Sequence, residues 1–194
     1  MALLNILEEF NWVDLFFVIL LIRICYVASK YGFSVELFKF LGTLSGVYLS
    51  LHYYLIFSDY LVKRIGLKNV SIEYLTFSSF VALAILGYLI FVLLRKVFSR
   101  FIHMEAVSGL EKWGSLILGI ARSFLLISLI IFIFLIAPGG YFRNSVNNSC
   151  SSRRLFKIAP ATYTCLWNNI MSKFRTQEKF NEAILKVEVG PSKK

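Results

Sequence analysis

Tyr74 to Leu94 is a run of 21 consecutive residues without an acidic, basic or histidine side chain. At 1.5 Å per residue an α-helix of that length reaches about 31 Å, close to the ~30 Å hydrocarbon core of a bilayer. Lipid offers no hydrogen bonds, so a spanning segment must satisfy its own backbone, which an α-helix does. Arg95, Lys96 and Arg100 follow and end the run in water.

Three further apolar blocks share that character. The chain is 58% hydrophobic and only 16% charged, against about 25% charged in soluble domains. Its mean hydropathy is +0.70. Helices apolar all round suit the centre of a large soluble core or a membrane, and a chain of 194 residues cannot hide four of them in a soluble core. The expected fold is an all-α membrane protein with four transmembrane helices over about residues 12–28, 37–57, 74–94 and 113–137. Residues 138–194 form a basic tail with a short amphipathic helix over about 161–175. There Tyr163, Leu166, Trp167, Ile170, Met171 and Phe174 recur at helical spacing. Such a helix lies at the membrane interface or docks on the protein's own loops. Residues 144–152 are too rich in Asn and Ser to be expected in a packed core. Residues 1–11 read as an interfacial lead-in. With no basic residue before the first apolar run, no cleavable leader is expected, and the first helix should remain as an anchor.

The tail holds ten of the Lys and Arg residues against Glu178, Glu182 and Glu188. Anionic lipid head groups are its simplest partner, at about 1 kcal/mol per basic residue near the surface, and no nucleic-acid motif accompanies the charge. Orientation stays open, because the basic residues flanking the spans number seven on each side. Cys150 and Cys165 would pair only in an oxidising compartment.

Small residues let helices approach closely in lipid, where hydrophobic exclusion supplies no force. Gly42, Gly46 and Ser50 make one such stripe on the second span, and Ser115, Gly119 and Ser123 another on the fourth. Either the two stripes face each other or one of them mediates association with another copy or another membrane protein. Ile131 reads as lipid-facing. Arg122 lies about 13 Å inside the fourth span. It either snorkels to the nearer interface or faces the bundle and pairs with an acid, for which Asp14 and Glu36 are candidates; Glu111 is too far along the same helix. His52 reads as an interfacial histidine held by a hydrogen bond. No phosphate loop, metal-ligand cluster or nucleophile elbow occurs, so no catalytic residue, cofactor or metal is assigned.

Several short motifs fall in order along the chain. Trp12-Val13-Asp14 opens the first span, Gly32-Phe33-x-x-Glu36 leads into the second, and His52-Tyr53-Tyr54 closes it. Gly109-Leu110-Glu111-Lys112 and Gly119-Ile120-Ala121-Arg122 open the fourth, and Ser152, Leu155 and Pro160 follow. Over about residues 10–175 the sequence resembles the CvpA family, bacterial inner-membrane proteins named for colicin V production. Tyr31 stands where that family tends to have Arg, and Ser123 replaces a glycine. The resemblance implies four transmembrane helices and a multi-pass inner-membrane location. It also implies no known catalytic activity, and a part in toxin production and envelope function. Two other readings stay open: a small transporter or channel component with Arg122, Asp14 and Glu36 along a polar path, and an anchor whose basic tail recruits a partner.

Overall fold

The computed structural model describes residues 11–65, 71–101, 108–175, 178–187 and 189–190. Of the expected lead-in over residues 1–11, all but Asn11 lies outside them. Four long helices dominate: α1 (Trp12–Lys30), α2 (Phe33–Ile65), α3 (Ile72–Phe101) and α4 (Ser108–Ile136). All four carry segments long and apolar enough to cross a membrane. Shorter helices make up the tail: α5 (Gly140–Asn147), α6 (Ser152–Leu155), α7 (Ile158–Leu166), a π-helical turn (Trp167–Met171), α8 (Ser172–Phe174) and a 3₁₀ turn (Glu182–Lys186).

The helices are longer than the apolar blocks. α2 has 33 residues, about 50 Å, well beyond a hydrocarbon core. Much of the expected polar connection over residues 58–73 is helix, since α2 continues to Ile65 and α3 starts at Ile72, with Asp59, Lys63 and Arg64 exposed. Polar residues in water need not end a helix; only the lipid boundary changes there. The linker expected at residues 29–36 shrinks to Tyr31 and Gly32. Pro138 and Gly139 end α4, and Gly139 adopts φ +96°, which glycine alone takes without strain.

The spans lie in the order α1, α4, α2, α3, because α1 packs on α4, α4 on α2, and α2 most extensively on α3. Half of the spanning residues of α2 and α4 are buried, against 28% in α1 and 17% in α3, which makes α2 and α4 the inner pair. The two small-residue stripes do not meet. Gly46 lies against Ala84 and Gly87 of α3, where a Cβ on Gly87 would sit 2.6 Å from the Gly46 Cα, and Gly119 lies against Ala28 of α1. Each stripe serves a different neighbour within the chain. Ile131 is buried as well, on a face that packs with Phe132 and Leu135 into the core.

The tail is part of this core. An aromatic column runs from Phe80 of α3 through Phe132 of α4 to Phe156 of the tail, at centroid spacings of 5.0 and 5.9 Å. α7 packs on both α2 and α4, and Tyr163 is fully buried. The amphipathic stretch over 161–175 therefore docks on the protein with Tyr163 and Trp167, while Ile170 and Phe174 stay exposed. Asn11 donates through Nδ2 to the Ser145 carbonyl at 3.0 Å, so the start of α1 and the tail share one side.

Candidate functional site

Glu36 stands in the first turn of α2, where the helix dipole favours a carboxylate. Its side chain is fully buried, with Lys39 Nζ 2.6 Å from Oε1 and the Arg122 guanidinium of α4 3.2 Å from Oε2. Arg122 is only 6% exposed, so it does not snorkel. The three groups carry one acid and two bases in a low-dielectric setting. Oε2 of Glu36 and Nε of Arg122 lack a hydrogen-bond partner, so the cluster holds polar capacity beyond its own ion pairs. Lys39 also lies over the Tyr31 ring, 4.2 Å from its centroid, a contact that favours a cation.

A cavity of about 200 Å³ opens beside the α1–α2 turn, lined by Ser29, Lys30, Gly32, Glu111, Lys112 and Ser115. Gly32 lets Glu111 Oε1 approach to 3.2 Å from where a Cβ would stand. Ser115 lies seven residues, about 10 Å along α4, from Arg122. Mouth and ion pair thus share the end of the bundle opposite the tail.

Asp14 belongs to the other end. Its Oδ2 accepts the Asn11 N–H at 3.1 Å in a capping box, and its Oδ1 accepts the Ser149 hydroxyl at 2.7 Å and the Ser151 N–H at 3.0 Å. Ser149 and Ser152, in the stretch expected to stay out of a packed core, are buried because Asp14 and each other satisfy their hydroxyls: Ser152 donates to Ser149 at 2.8 Å. Asp14 therefore pins the tail to α1 and does not meet Arg122.

The third cluster surrounds His52, which is buried between the rings of Tyr48 (5.3 Å) and Trp167 (5.0 Å). A directional chain satisfies it. The Asn181 N–H donates to the Tyr163 hydroxyl, which lies 2.7 Å from His52 Nδ1, and Nε2 lies 3.2 Å from Glu178. Burial pushes the Glu178 carboxyl up, but the Tyr53 hydroxyl at 3.0 Å and the Arg175 guanidinium more than offset this and hold it below the usual carboxylate range. His52 thus sits in a network formed mostly by the tail.

The structure therefore brings Glu36 and Arg122 together, sets Gly32 and Glu111 at the mouth beside them, and uses Gly42, Gly46 and Gly119 for internal packing. Gly42 backs on Tyr88 and Phe91. Sequence reasoning missed Lys39 as a partner of Glu36, although three residues separate them on one helix face. It also missed Ser128, a hydroxyl within an apolar block. Ser128 donates to the Phe156 carbonyl and accepts the Ala159 N–H, both at 2.8 Å. The cysteines are free thiols, with Cys150 and Cys165 exposed.

None of the curated proteins and none of the solved structures matches the chain. The model of one family does, described as colicin V production protein, and it matches residues 13–160. That range begins one residue before Asp14, includes both members of the Glu36–Arg122 pair and ends within the docked tail. Four membrane-competent helices and this match over most of the chain place it in the colicin V production protein family as a multi-pass membrane protein.

Proposed function

We propose that the chain acts in the bacterial inner membrane in the production or export of a colicin V-like bacteriocin and in maintenance of the envelope, without catalysing a reaction. The observation that carries this reading is the Lys39–Glu36–Arg122 cluster within the spans. A simple anchor gains nothing from a buried ion pair, whose desolvation offsets most of its attraction. Intramembrane charges of this kind mark sites that handle a partner or substrate. Since the small-residue stripes are used internally, contact with another membrane protein falls to the exposed faces of α1 and α3. The test is a deletion strain complemented with the wild type, Glu36→Gln or Arg122→Ala, scored for bacteriocin in the medium and for sensitivity to detergent. Loss of both phenotypes' rescue in the variants, at equal protein level, is expected. Unchanged toxin titre and detergent sensitivity on deletion itself would overturn the reading.

A second reading, a small transporter or channel component, is favoured by the buried Glu36–Arg122 ion pair, with no hydrogen bond to Glu36 Oε2 or Arg122 Nε, beside an open polar mouth. Asp14 is not on such a path. Flux through proteoliposomes that Arg122→Ala abolishes would select this reading.

A further inference from the structure

On the tail side, apart from the ion pair and its mouth, a cavity of about 460 Å³ separates α6 and α7 from the 3₁₀ turn. Arg153 and Lys157 stand at it, with Phe156, Pro160, Ile184 and Leu185 among its walls. Phe156 and Lys157 keep helical backbone angles between α6 and α7. Arg153 and Lys157 are therefore one helical turn apart and share a side. Neither cation has an acidic partner among the described residues. Glu182, which opens the 3₁₀ turn, is exposed.

Two observations say what fits there. The first is depth. Trp12 and Phe134 rings lie 6.4 Å apart, and indole rings mark the head-group level. Ser128, which holds Phe156 and Ala159, is six residues nearer the membrane centre on α4, about 9 Å. The Phe156 wall of the cavity therefore lies at the depth where head groups meet the first methylenes of the acyl chains. The second is its mixed lining. Leu185 is 62% exposed beside two cations without an acidic partner among the described residues, a pairing of apolar wall and positive charge that matches an anionic amphiphile.

We propose that this cavity binds one anionic phospholipid, its phosphate on Arg153 and Lys157 and the start of an acyl chain over Phe156, Pro160 and Leu185. The lipid fills the gap between α6–α7 and the 3₁₀ turn, so the bilayer itself completes the fold of the tail. This inference does not depend on the role of the Glu36–Arg122 pair.

The test places the full chain in nanodiscs of phosphatidylethanolamine with one-fifth phosphatidylglycerol, then extracts it and counts phosphatidylglycerol retained per protein by native mass spectrometry. The wild type should retain about one. Arg153→Gln/Lys157→Gln should lower retention several-fold, and so should Leu185→Asn, which keeps the charge but removes the apolar wall. Lys173→Gln/Lys179→Gln removes the same charge from exposed tail positions and should retain lipid as the wild type does. Equal loss in both double variants would mean diffuse attraction to the tail and would overturn the proposal. So would retention that survives Leu185→Asn, the mark of a site for the phosphate alone. All substituted side chains are exposed, so each variant keeps the folded bundle, which helical circular dichroism verifies.

Discussion

At the scale of single residues, the informative ones are polar groups in apolar surroundings. Arg122 stood out in the sequence because a guanidinium in a span demands a partner, and two acids near helix ends were available. Distance decides between them: Glu36 is 3.2 Å away, and Asp14 is occupied by Ser149 and Ser151 at the opposite end. Removing one member of a buried pair leaves the other uncompensated, at about 3–5 kcal/mol, whereas removing both costs far less. In an SDS-titration unfolding assay, Arg122→Ala and Glu36→Ala should each destabilise by that order, and the double variant should recover part of the loss. Lys39 tempers the Arg122→Ala effect, since Glu36 keeps one cation. Glu178 gives a pH prediction. Its folded carboxyl titrates below its unfolded value, so its contribution is complete above the ordinary range near pH 4.3 and is lost as pH falls through the folded value. Trp167 fluorescence, with Trp12 and Trp113 replaced by Phe, should report tail undocking at acid pH in the wild type. Glu178→Gln should lose this acid-dependent phase.

At the scale of elements, the apolar blocks revealed the number and type of helices but not their ends or faces. A run of 21 uncharged residues signals a span because charge is what lipid excludes; it does not say where a helix stops in water. α2 therefore overran its expected end at residue 57 and reached Ile65. Faces were equally hidden. A helix apolar all round shows no stripe, so Ile131 read as lipid-facing although it is fully buried. The glycines did signal close approach, but which helix each would meet depends on the order of the row. Gly46→Leu should force α2 from α3, and Gly119→Leu should force α4 from α1, each lowering the folded fraction strongly. The exposed-face control Ile117→Leu should be neutral. Ser128→Ala has a sharper forecast. It removes both tail hydrogen bonds without adding bulk to a fully buried position, so the bundle should hold while exposed tail sites become more susceptible to trypsin at Arg153 and Lys157.

At the scale of the whole molecule, the tail was the least legible part. Its Asn and Ser residues look like a linker unless Asp14 is known to await them, and contacts across more than 130 positions leave no periodic trace in a sequence. The number of spans was legible and carries the topology: the start of α1 and the tail lie on one side, and the first turns of α4 on the other. Maleimide labelling of Asn148→Cys and Lys112→Cys, in a background without Cys25, Cys150 and Cys165, should therefore give opposite protection in intact cells. The row order α1, α4, α2, α3 also has a consequence for biosynthesis. The first span to leave the ribosome pairs with the last. At about 5–20 residues per second, α1 waits several seconds in the translocon or the lipid with Asp14 lacking its tail partners and Ala28 lacking Gly119, and Glu36 waits several seconds for Arg122. The α2–α3 hairpin, by contrast, can close as soon as both halves emerge. A chain halted after α3 should thus insert three helices, keep that hairpin, and leave α1 to quality-control proteases.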